Sequence, residues 1–280
     1  MGLRVKQMAA AARLGWLSES NWTRAWVYLL YAAARPLSMC LILYFIYRVA
    51  TRQPATSPMF LAIYAGSAFF TVIATLTAAL SWVIIEDREH YQIIRYVYIA
   101  PLRFWQYIVG RSLPVLGISV STLLIILGFG AVVLGLPLGP GHVNWPLMLP
   151  TFLLGLANAA ALGMAFAGLV LITARHSMLL AEGAGATFLL VCGVIYPVDF
   201  LPRWLHPVAL ALPMTYWMEL VRRSYGVLGF SPMLAAWGTG KLFAVFAATT
   251  VGLALVAVWG FRRLEHLAKR LGKLDQATNY

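Results

Sequence analysis

From Ser112 to Ala174 the chain runs 63 residues without one Asp, Glu, Lys or Arg. A helix needs about 20 apolar residues to cross roughly 30 Å of hydrocarbon, so this interval holds two crossings and the turn between them. The turn is written in Pro137, Gly139, Pro140 and Gly141, followed by His142, Asn144 and Trp145, an aromatic suited to a membrane interface. The chain is therefore read as all-α and integral to a membrane.

Composition extends that reading to the whole molecule: 61% of residues are hydrophobic, 11% are charged, and the mean hydropathy is +0.80. A net charge of +12 raises nucleic acid as a partner, but such a binder gathers its cations on one water-facing patch. Here they flank apolar segments, which makes them orientation signals and excludes nucleic acid from the reading. Cys40 and Cys192 fall inside apolar segments and are read as packing residues. The short Ala run between Lys6 and Arg13 is too brief for the apolar region of a cleaved signal peptide.

Uncharged runs place six spans, at 28–49, 59–85, 112–136, 147–172, 178–197 and 242–261. Arg35 lies within the first and is expected to snorkel to the headgroups. Trp204 to Met218 is uncharged but short and broken by Pro207 and Pro213, so it is expected to dip in and return or to lie at the interface. Six spans put both termini on one side. That side carries fourteen cations, in 1–24, 86–111, at Arg175 and after 261, against six on the other, so the positive-inside rule makes it cytoplasmic.

The loop 86–111 opens with Glu86, Asp87, Arg88, Glu89 and His90. Ile93, Ile94, Val97 and Tyr98 then form an apolar stripe on a short helix, which either lies on lipid or docks on a protein. Ala100 and Pro101 lead on through Arg103 to Gly110 and Arg111. A second block reads Gly193-Val194-Ile195-Tyr196-Pro197, Phe200-Leu201-Pro202-Arg203-Trp204-Leu205, Leu212-Pro213-Met214-Thr215-Tyr216 and Glu219 to Arg222.

These blocks resemble the permease subunit of type-2 ABC exporters. The second follows that family's G-v-x-y-P … l-P-x-w-l … l-P-l-T-y … R pattern; the first departs from it, with His90 and Tyr91 where a glycine often follows the acidic cluster. The resemblance covers essentially the whole chain as one transmembrane domain, 1–280. It implies an interfacial connecting helix within 1–25, with Met8, Ala12, Trp16 and Leu17 on its apolar face. It implies a coupling helix within 86–111, whose ATPase-facing residues would be Glu86, Asp87, Arg88, Glu89, Tyr91, Arg95, Pro101 and Arg103. A re-entrant outer pair over 199–219 would form the exit gate with Tyr196, Pro197, Phe200, Pro202, Trp204, Pro213 and Tyr216, and 262–280 would be a cytoplasmic tail. The implied partners are two copies of a separate ABC ATPase, which would hold ATP and Mg, and a second permease copy, in the plasma membrane.

The chain offers no phosphate loop of its own. Around Gly240-Lys241, Ala235 stands where G-x-x-x-x-G-K-[ST] needs its first glycine and Leu242 where it needs a hydroxyl. His90, His142, His176, His206 and His266 are too scattered for a metal site. Neither Ser67 nor Ser119 sits in a nucleophile elbow. Glu182, the lone acid within a span, is seven residues from Arg175 on one helix face and is read as its structural partner rather than a transport site. Glu182→Gln is then expected to lower thermal stability more than transport, measured side by side in membranes; a stable variant without transport would reverse that reading. Gly155, Ala159, Gly163 and Ala167 form a row of small residues for close helix approach, within the chain or between copies. A hydrophobic or amphiphilic cargo, whether drug, lipid or lipid-linked glycan, suits uncharged spans; an ion-coupled transporter or channel is the alternative and would want a central charge pair.

Overall fold

The computed structural model describes residues 2–20, 25–52, 56–100, 103–173 and 177–272. Its long helices are α1 (Gly2–Ser20), α2 (Ala25–Thr51), α3 (Pro58–Ile85), α5 (Phe104–Val132), α6 (Trp145–Ile172), α7 (Ser177–Val191), α9 (Pro213–Ser224) and α11 (Thr239–Arg270). Short helices fill the connections: α4 (Ile94–Ile99), α8 (His206–Ala211) and α10 (Pro232–Ala235). No strand occurs among the described residues. Pro58–His90, Phe104–Val132, Trp145–Ile172 and Thr239–Arg270 are long and apolar enough to cross a bilayer. Within α2 the apolar stretch is Leu37–Thr51.

α3 is the central post. Ser57 caps it, accepting a hydrogen bond from the Phe60 N–H, with Pro58 pre-set for the first turn. Nearly every residue from Phe60 to Ile85 is buried, against α2, α5, α6, α7 and α9. The Tyr64 hydroxyl donates to the Ile126 carbonyl at 2.7 Å and fixes α5 against it.

The row of small residues on α6 is spent within the chain. At Gly163 an added Cβ would lie 3.1 Å from the Thr77 carbonyl and closer still to Leu80, so α3 and α6 nearly touch backbones there. Gly168 lies against Phe261 of α11, and Gly155 makes room for the Trp217 indole, which donates to the Thr151 carbonyl at 3.0 Å. A Cβ at Gly155 overlaps that ring. Gly155→Val is expected to destabilise the protein by about 2–4 kcal/mol through overpacking and loss of that bond. Gly183→Val, where nothing lies within 4 Å, is the matched control, and thermal unfolding in detergent measures both.

Several expected ends shift, among them the start of α5 at Phe104. α7 stops at Val191 because Gly193, at φ +66°, takes the left-handed position that closes a helix. α11 runs well past residue 261 to Arg270, because its basic end has a packing partner.

Candidate coupling site

At one end of the bundle α3 runs into a widened turn, Glu86–His90, of π-helical pitch. The Tyr91 N–H reaches back to the Glu86 carbonyl at 2.9 Å, and this change of pitch turns Asp87 and Arg88 inward. Asp87, 1% exposed, accepts from the Tyr107 hydroxyl at 2.7 Å and pairs with Arg111 at 3.4 Å. Arg111 also pairs with Glu86 at 3.3 Å and donates to Ser18 Oγ, so one guanidinium joins α1, the turn and α5. Arg88, 3% exposed, pairs with Glu89 at 3.1 Å and donates to the Val170 carbonyl at 3.1 Å. Val170 lies in the last turn of α6, where carbonyls lack helical partners, so Arg88 caps that helix. α1 crosses α5 through two glycines: a Cβ at Gly110 would sit 3.1 Å from the Met8 carbonyl, and one at Gly15 would overlap the Arg111 carbonyl.

α4 hangs from this joint after Gln92, at φ +53°. Its apolar stripe faces inward: Ile94 and Val97 are buried with Ile84, Phe104 and Ile108. The stripe available to lipid or to a partner in the sequence is therefore used by the chain itself, and the exposed face carries Tyr96 and Ile99, with Tyr91 beside it. Tyr98 stacks on Phe104 at 4.7 Å between ring centres, and Lys269 Nζ lies 4.5 Å from the centre of the Tyr98 ring. Burial, with Glu265 as the lesser cause, pushes the Tyr98 phenol well above its usual range, so it stays neutral. On α1 the inward residues are Ala11 and Gly15, while Trp16 and Leu17 of the expected apolar face point outward.

At the opposite end α9 is buried on every side despite carrying Glu219, Arg222 and Arg223. Arg222 donates to the carbonyls of Ala62 at 3.1 Å and of Gly193 and Val194 at 2.7 Å each, with the Phe230 ring 3.9 Å from its guanidinium carbon. Arg223 pairs with Glu219 at 3.2 Å and donates to the carbonyls of Trp237 at 2.8 Å and Leu234 at 2.9 Å. α8 is tied to α9 by Thr215 Oγ1 donating to the Ala209 carbonyl and Tyr216 to that of Leu210. Asp199 accepts from Ser231 Oγ and from the Met233 N–H at 2.8 Å, starting α10.

The ABC-2 type transporter family model matches residues 10–226, from within α1 to just past α9. The chain belongs to the ABC-2 type transporter family. No curated protein matches it at a significant level. It is thus an integral membrane component of an ABC transporter, of a family whose members work with an ABC ATPase.

Among the ABC-2 residues singled out in the sequence, Glu86, Asp87, Arg88 and Glu89 share the buried joint, while Tyr91 and Arg103 are exposed nearby. Pro101, Arg175 and the side chains of Arg95, Glu182 and Arg35 lie outside the described residues. Of the outer residues, Pro197, Pro213 and Tyr216 are buried, Tyr196 is half-buried, and Phe200, Pro202 and Trp204 are exposed. Sequence patterns alone do not single out Tyr107 and Ser18 of the joint, nor the interior role of Arg222 and Arg223, which read as loop cations. The i, i+4 spacing to Glu219 is a visible signal for Arg223, and the family pattern marks Arg222 without its interior role.

Proposed function

We propose that the chain is the permease subunit of an ATP-driven exporter, working as a homodimer with two copies of a separate ABC ATPase in the plasma membrane. Six spans place both termini and the α1 end in the cytoplasm, with the α9 end outside. The observation that carries the reading is the buried ionic joint of Asp87, Arg88 and Arg111. A push delivered to α4 passes at once to α1, α5 and α6, because charges buried together resist separation in a low dielectric. Asp87 and Arg88 act as positioning residues; the surface offered to the ATPase is Tyr91, Tyr96, Ile99, Arg103 and the outer edge of Glu86. ATP and Mg belong to the ATPase. The cargo is hydrophobic or amphiphilic, in keeping with uncharged span walls, and the charged groups described so far gather at the two ends rather than at mid-span, which weighs against ion coupling.

Co-purification with the ABC ATPase tests this. Ile99→Asp together with Tyr96→Asp is expected to abolish ATPase retention while leaving the permease folded, since both side chains are exposed. Charge reversal at Glu86 and Arg95 is expected to weaken it. Undiminished association and undiminished coupled hydrolysis in these variants would overturn the assignment.

A further inference from the structure

α11 lies beyond the family match and is one unbroken helix of 32 residues, about 48 Å long at 1.5 Å per residue. That exceeds the roughly 30 Å of hydrocarbon, so the helix extends beyond it. At the basic end Lys269 is paired with Glu265 at 2.8 Å and held over Tyr98 of α4. Phe261 stacks 6.3 Å from Phe104, which in turn stacks on Tyr98. At the far end Arg223 of α9 donates to Thr239 Oγ1 at 3.2 Å and to the carbonyl of Trp237, whose ring lies between Tyr216 of α9, at 6.1 Å, and Lys241 of α11, at 4.3 Å. Between these grips one row, Leu242, Phe246, Thr250, Ala257, Phe261 and Ala268, is buried, and the opposite face is open. The short helix at one end of the molecule and the polar buried helix at the other are thus both gripped by the same rod.

We propose that α11 is a strut that carries displacement of α4 to α9, with Tyr98 as the positioning residue at its cytoplasmic grip and Arg223 with Trp237 at its outer one. This rests on α4 receiving the ATPase stroke, as argued above. α3, α5 and α6 feel the stroke through the ionic joint; α11 adds a direct line to the helices at the exit. A helix transmits along its axis only while its backbone bonds are continuous, and Gly252 sits on its open face with nothing within 4 Å of an added Cβ. Proline there removes a backbone bond and kinks the rod without meeting a neighbour, whereas alanine leaves it straight.

The test uses the permease with its co-purified ABC ATPase in nanodiscs, spin-labelled at Val208→Cys on α8 and Val132→Cys at the end of α5, both exposed, the natural Cys40 and Cys192 being buried. Trapping with ATP and vanadate is expected to shift the interspin distance. The shift is expected to be lost in Tyr98→Ala and in Gly252→Pro, with hydrolysis persisting in the latter, and kept in Tyr98→Phe and Gly252→Ala. A full shift in Tyr98→Ala overturns the strut, and that pair decides the matter if the proline variant fails to fold. A complex that hydrolyses ATP without moving the labels in any variant also overturns it, leaving the function reading in place. Failure of any ABC ATPase to associate with the unsubstituted chain removes the function reading and the strut together.

Discussion

Arg222→Met is expected to cost more stability than any other single substitution at the α9 end. The guanidinium is wholly enclosed and supplies three carbonyl oxygens on two segments, at Ala62 and at Gly193 and Val194. A methionine fills much of the volume and bonds none of them. Each buried acceptor left without a donor costs about 1–3 kcal/mol, so the sum is several kcal/mol, comparable to the margin of a whole domain. Arg222→Lys is expected to recover only part of this, because a single ammonium cannot present the guanidinium's fork to two segments at once. The space around it is cut to shape: a Cβ at Gly66 would stand 2.8 Å from Arg222 Nη2. Fluorescence-detected size exclusion after heating reads the result. An Arg222→Met variant melting with the unsubstituted chain would show that the clamp contributes nothing.

The second large effect is a non-additive one. Arg111→Met strands the Asp87 carboxylate in the interior with Tyr107 alone, and breaking a buried pair from one side costs about 3–5 kcal/mol. Asp87→Asn is milder, since Arg111 keeps Glu86 and Ser18. Combining Asp87→Leu with Arg111→Met removes both charges, and the double variant is expected to be more stable than the sum of the single changes by about 1–3 kcal/mol. Simple additivity in that thermal cycle would mean that the two charges do not act as a pair. If the joint also transmits the ATPase stroke, the double variant should keep its fold and its ATPase while hydrolysis no longer responds to cargo.

How far the sequence could be read follows from what an uncharged run can and cannot register. α3 and α6 begin and end where charges and prolines say they should, because both are enclosed by apolar neighbours along their length. α5 begins at Phe104, well before the run starts at Ser112, since Gln106 and Arg111 are taken up inside the protein. α11 outlasts its run for the converse reason, its amphipathic basic turn resting on α4. Periodicity finds the stripe of α4 correctly but not its partner, which lies in α3, α5 and α11 and is distant in sequence. Arg222 and Arg223 are invisible as interior residues because arginine reads as a solvated cation wherever its acceptors are backbone carbonyls, and those leave no trace in side-chain identity.

The arginine pair on α9 also sets an order of assembly. Every acceptor of Arg222, at Ala62, Gly193 and Val194, precedes it in the chain, so the ribosome has already delivered them when α9 emerges. The acceptors of Arg223 at Leu234, Trp237 and Thr239 have yet to be made. The carbonyl acceptors of Arg222 are thus all made before α9, whereas Arg223 has Glu219 alone until the stretch from Leu234 to Thr239 follows, and α11 begins where that second set of acceptors is completed.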